Sequence, residues 1–457
     1  MPGTTTTLPS ASARVPISPS VPTAVPGTTF LPPFTPPLNV YQTLPAVPPD
    51  SLQVVTPGIQ PLVLTADVAV LLAAQRNLGM MVALQELLAA RSGVRSSAAL
   101  SPPIFTIGPA FKMGGTTDGL LFQQPLELNG TRDARAGVAR AQLRLSRAQA
   151  QVQLQALVYT TRLDFYTLAQ TQERLRLIQE LRGIAEQFDA IARKQVALGA
   201  RPGIEQRQTA IEVARAKAQE ALATGQEMAA RAALNAYLGR APLDPIEARL
   251  EDALSGGPTD LIVAQSTALA VRGEVTAAEA TRDIPLAQAR LTRAQGRPDV
   301  APSFRISQIT PTYMDAGVGV VITVPIDYGT RRNQIRQQEQ IAFADAARVT
   351  GTQAQIRTEV VQAASRLSAA RETLHGYDGG LIIEAKAILD SAQLGYRAGG
   401  TTLISVLEAQ RVYRMILSER LDALTQAAFA RAELDRADGS IPAAVLDQLK
   451  LELDSRD

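Results

Sequence analysis

The residue types that do most enzyme chemistry are scarce in this chain. Histidine occurs once, as His375 in ETLHGYD, and cysteine is absent from all 457 residues. A histidine metal cluster, a thiolate site, a Cys–His pair, a disulfide and lipid attachment at an N-terminal cysteine are thereby excluded. A Ser–His pair is confined to the neighbourhood of His375, and there is no glycine-rich phosphate loop. His375 itself reads as a surface residue on a long helix. Carboxylates are plentiful but are spread along helix-forming sequence with balancing arginines. The expectation is a non-enzyme without a cofactor or bound metal. The residues whose spacing stands out are glycines. In YRAGGTTLISVLEAQRVYRM, residues 396–415, Gly399-Gly400 and Thr401-Thr402 interrupt a long helical sequence. In VALGARPGIEQRQTAIEVARA, residues 196–216, Gly199 to Gly203 do the same. A glycine inside a helix costs roughly 1 kcal/mol relative to alanine. Each break therefore reads as the reversal of a helical hairpin, with glycine taking left-handed backbone angles. Thr401 or Thr402 is placed to cap the returning helix.

The totals narrow the class. The formal net charge is +2, from 45 basic and 43 acidic residues, and this balance argues against a nucleic-acid binder. Aromatics are 4% and tryptophan is absent, while alanine, glutamine, leucine and arginine dominate, the composition of long, closely packed helices. No run of about 18 apolar residues could form a transmembrane helix. That test is blind to barrel strands, whose apolar residues alternate. Residues 1–61 carry about half of the 29 prolines and read as a disordered or polyproline leader without a recognisable signal peptide.

The rest of the chain is written twice. A helix candidate at 64–92, a strand hairpin at about 101–128, a helix at 131–197, a tip at about 197–204 and a returning helix make the first copy. After a loop at 239–260, a helix at 261–295, a strand hairpin at about 301–327, a helix at 331–397, a tip at about 397–404 and a returning helix make the second. Pro102 and Pro302, Gly119 and Gly319, Pro125 and Pro325, Arg132 and Arg332, Gly199 and Gly399, and Ile204 and Ile404 all share one offset of 200. A common offset with a common order of elements indicates internal duplication. The expected organisation is a leader at 1–61, repeats at 62–257 and 258–440, and a polar tail at 441–457.

At 1.5 Å per residue the helices at 131–197 and 331–397 are each roughly 100 Å long. A single compact core cannot bury such lengths, so coiled-coil packing is expected. Leu177, Leu181, Ile184, Phe188 and Ile191 keep spacings of four and three. So do Leu403, Leu407, Gln410, Arg414, Leu417, Leu421 and Leu424, with two polar interruptions. In the strands, Val318, Val320, Ile322, Val324 and Ile326 share one face, as do Leu120, Phe122, Leu126 and Leu128. Pro125 and Pro325 terminate them. Segment 118–128 has the length of a tilted membrane strand. Arg132 and Arg331-Arg332 lie where a helix dipole favours acids, a placement that suits a headgroup boundary. Four strands cannot close a barrel, and open edges are not tolerated in a bilayer, so membrane strands require eight from two copies or twelve from three.

VGVVITVPIDYGTRRNQIRQQEQ, residues 318–340, resembles the strand-to-helix junction of the TolC family of outer-membrane efflux channels. GYRAGGTTLISVLEAQRVY, residues 395–413, resembles that family's periplasmic tip. The resemblance spans about residues 62–437 and rests chiefly on the order and duplication of elements. It implies a mainly α fold with β, in which duplicated antiparallel helical hairpins form an α-barrel tunnel and four strands per protomer enter a trimeric twelve-stranded β-barrel. It implies a homotrimer in outer-membrane lipid, coupled through a periplasmic adaptor (membrane fusion protein) to an inner-membrane pump. The protein would be a passive conduit of a tripartite efflux or type I secretion system. Pro125 and Pro325 would mark the strand-to-helix junctions. Gly199, Ala200, Gly399, Gly400, Thr402 and Leu403 would form the adaptor-docking tips. The family's acidic entrance positions fall on Ser405 and Glu408, so one of two rings is missing. A further acid falls on Glu205, and its arginine partner falls on Thr401; Arg201 is nearby in sequence. The alternative is a periplasmic adaptor or coiled-coil scaffold without a pore. The isolated, duplicated strand hairpins count against it. Drugs, metals and proteins fit the sequence equally as cargo.

Overall fold

The computed structural model describes residues 62–112, 115–250, 260–310, 313–327 and 329–447. The leader at 1–61 and residues 448–457 of the tail lie outside the described residues. The first repeat comprises β1 (Leu62–Leu64), α1 (Ala66–Arg76), α2 (Leu78–Ser97), β2 (Ile104–Lys112), β3 (Gly115–Gln123), α3 (Thr131–Ala197) and α4 (Gly203–Tyr237). A short β4 (Ile246–Ala248) follows, inside the stretch expected to be loop, and pairs in parallel with β1. The second repeat comprises α5 (Leu261–Val271), α6 (Gly273–Ala294), β5 (Asp299–Thr310), β6 (Tyr313–Thr323), α7 (Thr330–Gly376), α8 (Ile382–Arg397) and α9 (Leu403–Asp438). None of the described helices is long and apolar enough on its own to cross a membrane.

Three expected helices are broken, each for a local reason. The helix expected at 64–92 is α1 and α2, bent by 53° at Asn77. Asn77 has φ −70° and ψ 123°, outside the helical range, and its side chain accepts from the Met80 amide at 3.2 Å. It ends one helix and caps the next. The helix expected at 261–295 breaks in the same way at Arg272, with φ −69° and ψ 129°. Here ion pairs hold the residue out of the helix, a signal that helix propensity does not carry. The helix expected at 331–397 is interrupted by a π turn at Tyr377–Leu381, where Gly380 has φ 119°. Its counterpart α3 runs 67 residues without interruption. His375 is exposed in the last turn of α7.

The strands form one antiparallel sheet in the order β2-β3-β5-β6, so the two repeats meet at β3 and β5. The register puts Phe105 opposite Phe122, Phe122 opposite Phe304, and Phe304 opposite Val318. Opposed residues share a face of an antiparallel sheet. One face is therefore a continuous apolar belt, and its members Ile107, Val318 (88% exposed) and Ile326 have no cover among the described residues. The other face carries Gln123, Ser303, Arg305, Gly317 and Gly319. β3 and β6 end at Gln123 and Thr323, short of the expected 128 and 327. Pro125 has no amide to donate, and Glu127 has φ 49°. The ladder to β5 nevertheless continues, because the Gln124 and Leu126 amides donate to Pro302 and Val300.

At the strand-to-helix junctions the acids, rather than the arginines, serve the helix starts. Asp327 accepts from the Arg331 amide at 3.1 Å, while Glu127 holds Arg135 through two hydrogen bonds at 2.6 and 3.0 Å. Arg132 donates to the Ala98 carbonyl, and Arg135 donates to those of Ser97 and Ala99, tying the end of α2 to the start of α3.

The main core lies where α1, α3 and α9 approach on alanine faces, with Ala69, Ala73, Ala169 and Ala428 fully buried around Phe165, Leu168 and Leu234. The repeats are locked beside it. Gln155 on α3 donates to the Val271 carbonyl and accepts from the Gly273 amide. A Cβ on Gly273 would lie 2.9 Å from a Val152 methyl and 3.0 Å from the Ala148 carbonyl, so only glycine allows this approach. Arg272, its side chain 4% exposed, donates to Glu274 at 2.6 Å and to Glu359 at 2.6 Å. Burial works against both carboxylates' charge, but the hydrogen bonds from Arg272 outweigh it and hold both below the ordinary value of 4.5.

Two outcomes follow. Gly273→Val overpacks the α3–α6 contact and is expected to lower stability by about 1–3 kcal/mol in thermal unfolding. Because the two glutamate pKa values are depressed in the folded state, their contribution is present above about pH 4.5 and is lost as pH falls below it. Arg272→Met is expected to lower Tm at pH 7, with the difference from wild type shrinking as the pH is lowered through 4.

Candidate functional site: the paired helical tips

Both tips are built by the same backbone device. In the first, the Gly199 amide donates to Val196 at 2.9 Å and the Ala200 amide to Gln195 at 2.9 Å. In the second, Gly399 donates to Tyr396 at 3.1 Å and Gly400 to Gly395 at 2.8 Å. This is the Schellman closure, which satisfies the last helix carbonyls and needs a left-handed residue. Gly199 and Gly399 supply it, with φ 69° and 81°. The returning helices start differently. Thr402 caps α9, accepting from the Ser405 amide at 3.3 Å, whereas Pro202 precedes α4 with no side-chain cap. Thr401 is no cap. Its hydroxyl donates to the Ala392 carbonyl at 3.2 Å, and its methyl would clash with any Cβ on Gly395.

The two tips are joined by a small polar cluster on an aromatic base. Tyr396, fully buried, packs with Phe188, Leu403 and Val406, its ring 6.1 Å from that of Phe188. Its hydroxyl donates to Glu205 Oε2 at 2.8 Å. Arg201 lies over the Tyr396 ring at 4.9 Å, donates to the Thr401 carbonyl at 3.3 Å and stands 3.8 Å from Glu205 Oε1. Burial, then the hydrogen bond and charge of Glu205, push the Tyr396 phenol up to about 12, with Arg201 acting in the opposite direction. Tyr396 is thus a fixed donor at neutral pH. Further up the first hairpin, buried Asp189 accepts from Thr209 at 2.8 Å and pairs with Arg193 at 2.7 Å, joining α3 to α4.

The structure brings Glu205 and Thr401 together, through Arg201 and Tyr396. Ser405 stays near them, its hydroxyl 3.0 Å from that of Thr402. Glu408 stands apart, exposed on α9 beside Arg411. Leu403, expected among the docking residues, is 2% exposed and belongs to the core under the tip. The exposed apolar side chains near the tips are instead Leu198, Ile204, Leu394 and Ile404. Sequence reasoning passed over Tyr396 and Asp189. The available signal was a tyrosine five residues before Thr401, in a chain with only nine tyrosines. No group of three metal-ligating side chains occurs among the described residues.

A duplicated protomer with a four-stranded sheet at the start of its long helices and paired glycine tips at their far end has the plan of an outer-membrane channel protomer. The comparisons agree. Residues 264–440 match the family model described as outer membrane efflux protein. The cobalt-zinc-cadmium resistance protein CzcC of Cupriavidus metallidurans is 26% identical over 383 residues, covering 82% of this chain and 89% of the relative. The solved structure of CusC superposes with a TM-score of 0.70 at 17% identity, covering 82% of this chain and 91% of that one. The open state of the MtrE outer membrane channel of Neisseria gonorrhoeae gives 0.68 at 18% identity, covering 82% and 88%. The chain carries the outer membrane efflux protein domain over residues 264–440 and shares the fold of the TolC-type channels. It is a non-enzymatic conduit, the tunnel component of a tripartite efflux system.

Removing the Glu205 acceptor leaves a buried phenol unpaired, so Glu205→Ala is expected to destabilise the tip by about 1–3 kcal/mol. Because the folded pKa of Tyr396 is raised above the ordinary 10, its contribution holds below pH 10 and is lost as pH rises through about 12. Alkaline titration of tyrosinate absorbance in Tyr396→Phe is expected to lack one group ionising near pH 12, while Tyr166, also pushed up to about 12 by burial, remains.

Proposed function

We propose that three copies of the chain close head to tail into a single channel, with the sheets joined in the outer membrane and the helices enclosing a tunnel in the periplasm. The observation that carries this reading is that the unpartnered edges coincide in each layer. In the sheet they are β2 and β6. In the upper helical layer α2 packs on α3 and α7 on α6, leaving α2 and α7 outermost. In the lower layer α4 packs on α3 and α8 on α9, leaving α4 and α8 outermost. One edge always belongs to the first repeat and the other to the second. An interface between two different surfaces of the same chain closes as a ring when the rotation between copies returns to the first. Channels of this family are trimeric and work with an adaptor and an inner-membrane pump. Three copies bring twelve strands, and the apolar belt from Phe105 to Val318 meets lipid. The organisation into a leader, two repeats at 62–257 and 258–440, and a tail is kept.

The tips are the adaptor-docking end, and the Arg201–Glu205–Tyr396 cluster is the latch that holds the two hairpins of one protomer together. Arg201, from the first hairpin, occupies the role the family resemblance gives to an arginine at Thr401. The cargo is proposed to be divalent metal cations, on the strength of the relative CzcC, whose coverage extends over most of both chains.

The test is the mass of the protein extracted from the outer membrane in mild detergent. Light scattering is expected to give three times 48.6 kDa after correction for detergent. A monomer or dimer from correctly exported protein would favour the adaptor or scaffold reading. Val320→Arg, placed on the apolar belt, is expected to cost about 2–4 kcal/mol of insertion and to deplete the membrane-bound oligomer. In planar bilayers Glu205→Gln with Tyr396→Phe is expected to raise the open fraction about tenfold, since each 1.4 kcal/mol lost from the latch is a factor of ten.

A further inference from the structure

α9 below the tip has one sharply defined exposed face. Ile404, Ser405, Glu408, Arg411, Met415 and Glu419 are exposed, while Leu403, Val406 and Ala409 are buried against the rest of the tip. The exposed residues recur at helical spacing and form one stripe. Glu408 and Arg411 are adjacent on it, 3.6 Å apart and with side chains 61% and 71% exposed. A surface that receives Glu408 must therefore receive Arg411, one turn further along. Ser405, one turn nearer the tip, bears no charge and is engaged with Thr402.

The cleft beside this stripe holds a second neutral pair and one cation beyond it. α4 contributes Glu212 and Arg215, paired at 2.8 Å, and α9 adds Arg414. Neither wall offers an uncompensated carboxylate near Glu408. An exposed pair three residues apart on a helix contributes only a few tenths of a kcal/mol to stability. Its electrostatic consequence is larger. Opposite charges closer together than the Debye length of about 8 Å present a passing ion with a dipole rather than a net charge.

We propose that Arg411 sets the ion selectivity of the entrance by neutralising Glu408, so that the entrance passes cations and anions alike. The proposal rests on the channel reading above, with the exposed stripe of α9 facing the pore. Three copies place a ring of glutamates and a ring of arginines about 4.5 Å apart along the helix axis. Discrimination among cargoes is then left to the components upstream of the tunnel.

The test is the reversal potential of the full-length oligomer in planar bilayers under a potassium chloride gradient. The wild-type cation-to-anion permeability ratio is expected near unity. Arg411→Gln is expected to raise it well above unity and Glu408→Gln to bring it below. The double variant is expected to return to the wild-type value, and none of the three should alter the oligomer mass. A strongly cation-selective wild type that Arg411→Gln leaves unchanged would overturn the inference and leave the channel intact. A trimer with no conductance in any variant would overturn the channel reading and the inference with it.

Discussion

A β-strand with a bare edge cannot sit in hydrocarbon, and the rest of this protein follows from that constraint. Each backbone N–H and C=O without a partner costs several kcal/mol there. Among the described residues the long strands form one four-stranded sheet, in the order β2-β3-β5-β6, so β2 and β6 are left as open edges. Duplication turns this into an assembly rule. The outer strands come from different repeats, as do the outermost helices of the layers below. A neighbouring copy can therefore continue the sheet and the helical wall in one operation. The alanine faces of α1, α3 and α9 serve the same end, because they let long helices run close enough to form a wall.

The tips show how a repeated backbone plan can carry an unrepeated function. Both reversals use the same glycine geometry, and both are satisfied internally. What differs is the side chain at each position. The first hairpin offers Arg201 and Glu205, and the second offers Tyr396 and the Thr401 carbonyl. Because the pieces are complementary, the hairpins are held to each other as well as folded on themselves. Phe188 and Leu403 keep water from the phenol, and that exclusion gives a single hydrogen bond its weight.

Much of this was legible in the sequence, and the misses share a cause. The constant offset of 200 fixed the duplication, and alternation fixed the apolar face of the strands, because both are one-dimensional patterns. Glycine and threonine at 399–402 identified the second reversal, since local backbone chemistry demands those residues there. Asn77 and Arg272 were missed as helix breaks. Neither is a strong breaker by propensity, and Arg272 is held in place by Glu359, 87 residues away. Leu403 belongs both to the apolar spacing of the returning helix and to the residues beside the turn, and only the contact with Phe188 of the other hairpin decides between them. Tyr396 and Glu205 lie 191 residues apart, and no spacing rule links them. The fold was written in local and periodic signals; the latch was written in contacts.

The interruption at Tyr377–Leu381 makes the two hairpins mechanically unequal. α3 is a single strut from sheet to tip, so displacing the first tip requires bending its whole length. The second hairpin descends through a joint, where Gly380 already adopts a backbone angle closed to other residues. Arg420 and Glu419 on α9 reach across to Asp378 and Tyr377 and act as stays on that joint. A fold made symmetric by gene duplication thus keeps an unbroken strut in one of its halves and a jointed one in the other.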